Sequence, residues 1–185
     1  MKKYEFTDET KRTYGRILHR IRAVRDFGNV KKGDLGGFIE SEDNLSHDGE
    51  SWVGGNAKVY GDAKVYGDAM VYDNARVSDL AWVGDKAIIC GKAIIYGNAH
   101  IGGNADIGGY AEVGDNARVV GNARVNDHAK VFRSAQVFGN ARISRNSWVY
   151  GSAWVCGNTE THGIWIFGDA RIYSNRDLKN ELFKM

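Results

Sequence analysis

A six-residue period dominates this chain. From Gly55 to Cys156 the sequence divides into seventeen consecutive hexads without an insertion, beginning GNAKVY, GDAKVY, GDAMVY. The third position of every hexad is Ala, apart from Ser147, and the fifth is Val or Ile. A fixed short period of this kind is typical of a solenoid, in which stacked repeats bury their apolar sides against one another.

Each hexad predicts one short strand and one corner. Residues two apart on a strand point to the same side, so Ala57 and Val59 are expected to face inward and Lys58 outward. The Gly or Asp and the Asn or Asp before each Ala suit a bend, because these residues tolerate left-handed backbone angles. Three hexads would close a triangular coil, and coils stacked roughly 4.8 Å apart would form a parallel β-helix.

The segments outside the hexads are expected to cap the solenoid, because its two ends would otherwise expose strand edges. Residues 1–50 lack the repeat and predict a small β-rich N-terminal cap, with a helix through Ile17, Leu18, Ile21 and Val24 as the alternative. The β-helix is assigned to residues 51–173, starting with the turn at Ser51-Trp52-Val53.

The C-terminal end departs from the repeat twice. The register slips by one residue within NTETHGIWIFG and resumes at Ala170. Residues 174–185 then predict a short cap helix, since Leu178, Leu182 and Phe183 have helical spacing and could cover the last coil.

The repeat resembles that of the bacterial hexapeptide-repeat superfamily, which contains acyltransferases and γ-class carbonic anhydrases. This resemblance implies a left-handed coil, an exception to the rule that parallel crossovers are right-handed, and a tendency to form trimers. The opening RIRAVRDFGNVKKGDLGGFIESEDNLS resembles a narrower bacterial and phage hexapeptide-repeat group, which implies no particular chemistry.

Composition favours a soluble protein whose net charge is too small to create a strong electrostatic field. Lys and Arg number 25 against 23 Asp and Glu, so no global charge demands nucleic acid or a membrane. Residues 1–32 are locally basic, with ten cations and four carboxylates. The N-terminus lacks the apolar core of a signal peptide, and we expect a cytoplasmic protein that does not bind membranes.

The sequence gives little support to an enzyme. No two histidines have the five-residue spacing of the zinc ligands in γ-class carbonic anhydrases, and Cys90 and Cys156 are too few for a disulfide framework. We expect no metal and no cofactor. The catalytic candidate is His162, in the irregular stretch, which could act as a general base in an acyl-CoA-dependent transferase.

The outward positions are the more informative ones, because Ala with Val or Ile fills the interior. Positions eighteen apart should stack in columns, and exposed Trp beside Arg is typical of interfaces. We expect binding through the outward side chains Lys64, Trp82, His100, Arg118, Trp148 and Trp154. We expect self-association, with a trimer favoured, through Trp52, Met70 and Ile88.

These observations favour a non-enzymatic binding protein that acts through the outer faces of a rigid oligomer. Because the N-terminal segment resembles phage-borne proteins, the partner could be a host protein, such as a defence component that this protein blocks. The alternatives are a sponge that sequesters a cyclic nucleotide signal between subunits and an acyl-CoA-dependent transferase. Binding of nucleic acid is not expected.

Overall fold

Three ladders of short parallel strands form the walls of the molecule. The computed structural model describes the backbone of residues 1–182 and the side chains of residues 1–179. The chain is a parallel β-solenoid of about eight turns with almost no helix. The predicted all-β solenoid is confirmed.

We number the strands β1 to β24 along the chain and call the three sheets the first, second and third face. The first face contains β1 (Tyr4–Thr13), β2 (Arg16–Ala23), β3 (Leu35–Ile39), β5 (Lys58–Val59), β8 (Arg76–Val77), β11 (Ile94–Ile95), β14 (Glu112–Val113), β17 (Lys130–Val131), β20 (Trp148–Val149) and β23 (Trp165–Ile166). The second face contains β4 (Trp52–Val53), β7 (Met70–Val71), β10 (Ile88–Ile89), β13 (Asp106–Ile107), β16 (Arg124–Val125), β19 (Arg142–Ser144) and β22 (Glu160–His162). The third face contains β6 (Lys64–Val65), β9 (Trp82–Val83), β12 (His100–Ile101), β15 (Arg118–Val119), β18 (Gln136–Val137), β21 (Trp154–Val155) and β24 (Arg171–Ile172).

Residues eighteen apart are partners across neighbouring coils. His100 pairs with Trp82 on one side and with Arg118 on the other, which confirms the predicted vertical columns. The inward Ala, Val and Ile side chains of the hexads are almost all fully buried. Because these side chains fill the interior, ligands can be bound only from outside.

The corners depend on left-handed backbone angles, as the Gly and Asp residues predicted. Asp85 has a φ of 55°, and its Oδ2 accepts a hydrogen bond of 2.6 Å from the backbone N–H of Gly103 in the next coil. Arg145 occupies the same kind of position with a φ of 58°, and its N–H donates to Asp127 Oδ2 at 2.8 Å. Hydrogen bonds to Asp carboxylates therefore connect each of these corners to the corner of the next coil.

The N-terminal segment is β-structure, and the helical alternative through Ile17 and Val24 is wrong. Strands β1, β2 and β3 are antiparallel neighbours, and β3 continues into the parallel ladder through Ile39 and Val59. A further parallel bridge joins Leu45 to Val65. One turn of the solenoid therefore precedes Trp52, where no hexad is visible.

The buried side chain of Asn44 stabilises that early turn. Its Nδ2 donates to the carbonyls of Gly61 and Ala63 at 2.8 and 2.9 Å, and its Oδ1 accepts from the N–H groups of Glu40 and Ser41. An amide side chain thus satisfies backbone groups of the next coil, as a strand would.

The C-terminal end has the predicted one-residue slip. Trp148 pairs with Trp165, seventeen residues on, and Trp154 pairs with Arg171. Helix α1 (Asn175–Leu182) follows, and Leu178 is buried against the core. The side chain of Leu182 and all of Phe183, which were expected to complete this cap, lie outside the described residues.

Candidate functional site

The third face contains one of the predicted binding columns. Trp82 is 47% exposed, its ring lies edge-on to Tyr66, and Lys64 Nζ lies 6.0 Å from its centroid. Burial, followed by the charge of Arg118, lowers the pKa of His100, so this imidazole is neutral at pH 7. The column therefore presents an exposed indole, a neutral imidazole and two cations.

Trp154 belongs to the same column but lies at its other end. The guanidinium of Arg171 lies 4.3 Å from its ring centroid, and Phe138 contacts it edge-on at 5.9 Å. Trp154 is half-buried between these neighbours. It is not brought together with Trp82, because His100, Arg118 and Gln136 lie between them in the ladder.

Trp148 lies in a cluster of five aromatic side chains on the first face, which we call the aromatic patch. The patch consists of Phe132, Trp148, Tyr150, Trp165 and Phe167. Trp148 stacks on Trp165 with centroids 5.1 Å apart and an interplanar angle of 11°. Beside them, Phe132, Tyr150 and Phe167 stack in series at 5.4 and 5.6 Å.

Two members of the aromatic patch remain largely accessible. Trp165 is 55% exposed and Phe167 is 45% exposed. Sequence reasoning missed both residues, because the hexad columns were not continued through the one-residue slip. Counting seventeen residues on from Trp148 and Tyr150, instead of eighteen, would have found them.

The second face provides less apolar surface than expected. Trp52 is only 7% exposed, because the N-terminal segment covers it and Phe27 contacts its ring edge-on at 5.5 Å. The expectation that Trp52 lies on an open outer column is therefore wrong. Met70 and Ile88 follow it in the ladder and are half-buried.

His162 is hydrogen-bonded through Nδ1 to the hydroxyl of Ser144, which leaves Nε2 as the unprotonated nitrogen of the neutral ring. Ser144 Oγ donates to the carbonyl of Thr161 at 2.9 Å, so the 2.9 Å contact between Ser144 Oγ and His162 Nδ1 needs the imidazole as donor. The nearest carboxylate oxygen, of Glu160, is 4.0 Å from His162 Nε2. With its side chain 52% exposed, this histidine lies on the surface of the second face.

Within the residues that the structure describes, no group of three or more His, Cys, Asp or Glu side chains could hold a metal ion. The same residues include no helix long and apolar enough to cross a membrane. Cys90 and Cys156 are both free thiols.

Two segments of the chain match a known repeat. Residues 63–79 and 135–151 match a family model described as the YdcK β-solenoid repeat. Together with the parallel ladders, this similarity supports a β-helix family. No curated protein matches the chain.

Proposed function

We propose that this protein is a non-enzymatic binding protein that engages a partner protein through the aromatic patch of the first face. The observation that carries the proposal is the stacked pair Trp148 and Trp165, whose outer ring stays 55% exposed. Stacking between coils accounts for aromatic residues at these positions, but it does not account for the large apolar area left in water at the end of the stack. Exposed clusters of Trp and Phe on a rigid surface are typical of binding hot spots.

The rigidity of the scaffold supports this proposal. Trp148 and Trp165 project from β20 and β23, which pair with each other in the parallel ladder, and Phe132, Tyr150 and Phe167 directly follow β17, β20 and β23. Aromatic rings held in stacked pairs lose little conformational freedom on binding, so little of the binding free energy is spent on ordering them. The same argument applies to Trp82 on the third face, which provides a second, smaller contact surface.

The assembly and the setting are part of the proposal. We propose a cytoplasmic homotrimer, with Met70 and Ile88 on the second face contributing to self-association. The resemblance of the N-terminal segment to phage and bacterial hexapeptide-repeat proteins motivates a host defence component as the partner. The resemblance of the repeat to the left-handed coils of the hexapeptide-repeat superfamily motivates the trimer.

Capture of a partner by matched variants tests the proposal. Tagged protein carrying Trp165→Ser and Phe167→Ser is compared with Leu80→Ser, which removes an exposed apolar side chain at a corner away from the patch. We expect the wild type and Leu80→Ser to retain one host protein, and the patch variant to lose it. The purified pair should then protect residues 164–168 from hydrogen exchange. Equal recovery with all three proteins, or recovery of no protein, contradicts the proposal.

A nucleotide sponge remains the second candidate, because Lys64 lies beside the indole of Trp82 on the third face and Arg118 follows in the same column, beyond His100. Base stacking on an aromatic ring combined with cationic phosphate contacts is a common mode of nucleotide binding. A thermal shift with cyclic nucleotides that Trp82→Ala or Arg118→Ala abolishes would select this function. Acyl-CoA binding with activity lost in His162→Ala would select the transferase instead.

A further inference from the structure

A cleft opens where the N-terminal hairpin meets the first face of the solenoid. Strands β1 and β2 are joined by a two-residue loop, Tyr14-Gly15, with φ values of 49° and 78°. Tyr14 is 76% exposed, and its hydroxyl accepts a hydrogen bond of 2.9 Å from Arg76 Nη1. This contact holds the tip of the hairpin beside the solenoid, and a cleft of about 580 Å³ lies between them.

The cleft is lined by cations from two parts of the chain. Lys11 and Arg12 come from β1, Lys58 and Arg76 come from neighbouring coils of the first face, and Lys92 lies at the adjacent corner. The lining includes no carboxylate, and among the described side chains none of these five forms an ion pair. Asp73 lies at the neighbouring corner, where its carboxylate accepts the N–H of Gly91.

This arrangement is electrostatically unfavourable without an anion. Burial, followed by the charges of Lys11 and Arg76, lowers the pKa of Lys58. Cations that repel one another inside a concave surface create a positive potential, which an anion bound between them would relieve. The backbone of Tyr14 adds conformational strain, because an aromatic residue at positive φ is uncommon. Residues in such conformations are frequent at functional sites.

We propose that this cleft binds a small molecule that carries two or more phosphate groups. Five cations exceed what one carboxylate or one phosphate needs, and the volume falls within the range of about 300–1,000 Å³ that small-molecule sites occupy. Arg12 and Arg76 supply planar guanidinium groups that suit paired phosphate oxygens. The exposed ring of Tyr14, 6.4 Å from that of Tyr60, offers a surface for a nucleobase.

The site is separate from the aromatic patch, so the two proposals can fail independently. The cleft lies against β5 and β8 at one end of the first face, whereas the patch lies on β20 and β23 at the other end of the ladder. A cleft that does not bind phosphate therefore would not contradict the partner proposal. Failure to capture a partner through the aromatic patch would not contradict phosphate binding in the cleft.

Calorimetric titration of the full chain with tripolyphosphate, ATP and a single-stranded oligonucleotide tests the proposal. The double variant Lys58→Gln/Arg76→Gln removes two cations from the cleft. The control Lys86→Gln/Arg124→Gln removes two exposed cations from elsewhere and matches the change in net charge. The single variant Lys92→Gln, at an exposed corner where Lys92 Nζ donates to the hydroxyl of Tyr110 at 3.2 Å, serves as a second probe.

We expect tripolyphosphate to bind the wild type and the control with similar affinity, and the cleft double variant to bind at least about tenfold more weakly. Lys92→Gln should give a smaller loss of affinity. Tighter binding of ATP than of tripolyphosphate would indicate that the adenine base stacks on the ring of Tyr14. Equal losses in the cleft and control variants, or no binding by the wild type, overturn the proposal. Binding of the oligonucleotide more tightly than ATP through the same residues would instead make the cleft a nucleic-acid surface and would also overturn it.

Discussion

The hydroxyl of Tyr14 accepts a hydrogen bond of 2.9 Å from Arg76 Nη1, across 62 residues of sequence. This contact joins the hairpin of the N-terminal segment to the first face of the solenoid. It also holds a residue with positive φ at the mouth of the cationic cleft.

Removing either partner of this contact should loosen the hairpin. We expect Tyr14→Phe and Arg76→Gln each to speed amide exchange in residues 11–18 by roughly five- to tenfold, since a hydrogen bond of this kind contributes about 1 kcal/mol. The double variant should add little to either single change, because both remove the same bond. Tyr173→Phe, at another exposed tyrosine, is the control. Fully additive effects would show that the bond is not formed in solution.

Position 84 should accept only glycine without a loss of stability, because the ring of Tyr66 in the preceding coil occupies the space of a side chain there. An ideal Cβ on Gly84 would lie 2.2 Å from Cζ of Tyr66, whereas one on Gly54 would meet nothing nearer than 3.4 Å. Gly84→Ala must displace the Tyr66 ring, and we expect a loss of about 1–3 kcal/mol in the free energy of unfolding.

Denaturant unfolding of Gly84→Ala and Gly54→Ala measures this difference. Gly54→Ala should change stability by less than about 0.5 kcal/mol. In a Tyr66→Ala background, Gly84→Ala should cost less stability than it does in the wild type, because the ring that it displaces is absent. If both glycine variants unfold alike, the tyrosine does not occupy the space above Gly84.

The arginine at corner position 145 should be replaceable by glycine with a gain in stability. Arg145 has a φ of 58°, a conformation that costs an ordinary residue roughly 1–2 kcal/mol and glycine almost nothing. After the larger unfolded-state entropy of glycine is subtracted, we expect Arg145→Gly to raise the free energy of unfolding by about 0.5–1 kcal/mol. The same substitution at Arg124, an exposed residue of β16, should lower it. A loss at both positions would contradict the assigned corner conformation.

Burial of Lys3 should make stability depend on pH in the alkaline range. This side chain is fully buried, its Nζ donates to Ser51 Oγ at 3.0 Å, and desolvation lowers its pKa to about 8 from 10.5. Between these two values the unfolded chain binds more protons than the folded chain, so stability rises with pH through this window.

Comparison with Lys3→Met isolates this contribution. Relative to the variant, the wild type should gain on the order of 2 kcal/mol in the free energy of unfolding between pH 7 and pH 10. Lys86→Met, which removes an exposed lysine, should follow the wild type. A wild type that gains nothing relative to Lys3→Met would show that Lys3 stays charged and solvated in the folded protein.

Much of the architecture could be predicted from the hexads. The position of Trp82 beside His100 and of His100 beside Arg118 follows from counting eighteen residues, because three identical repeats close one coil. The same counting failed at Trp165, where one residue is missing from the coil. The early turn through Asn44 has no hexad, since a side-chain amide replaces the usual strand contacts.

The sequence by itself determined the solenoid, its parallel register, its apolar interior and its columns of outward residues. These features repeat every six residues and depend only on neighbours that obey the same pattern. Only the tertiary structure decided that Phe27 covers Trp52, that Trp165 extends the stack of Trp148, and that Lys11 and Arg12 meet Lys58 and Arg76. Those contacts join the solenoid to segments outside the period, and their geometry depends on how the hairpin folds against the first face.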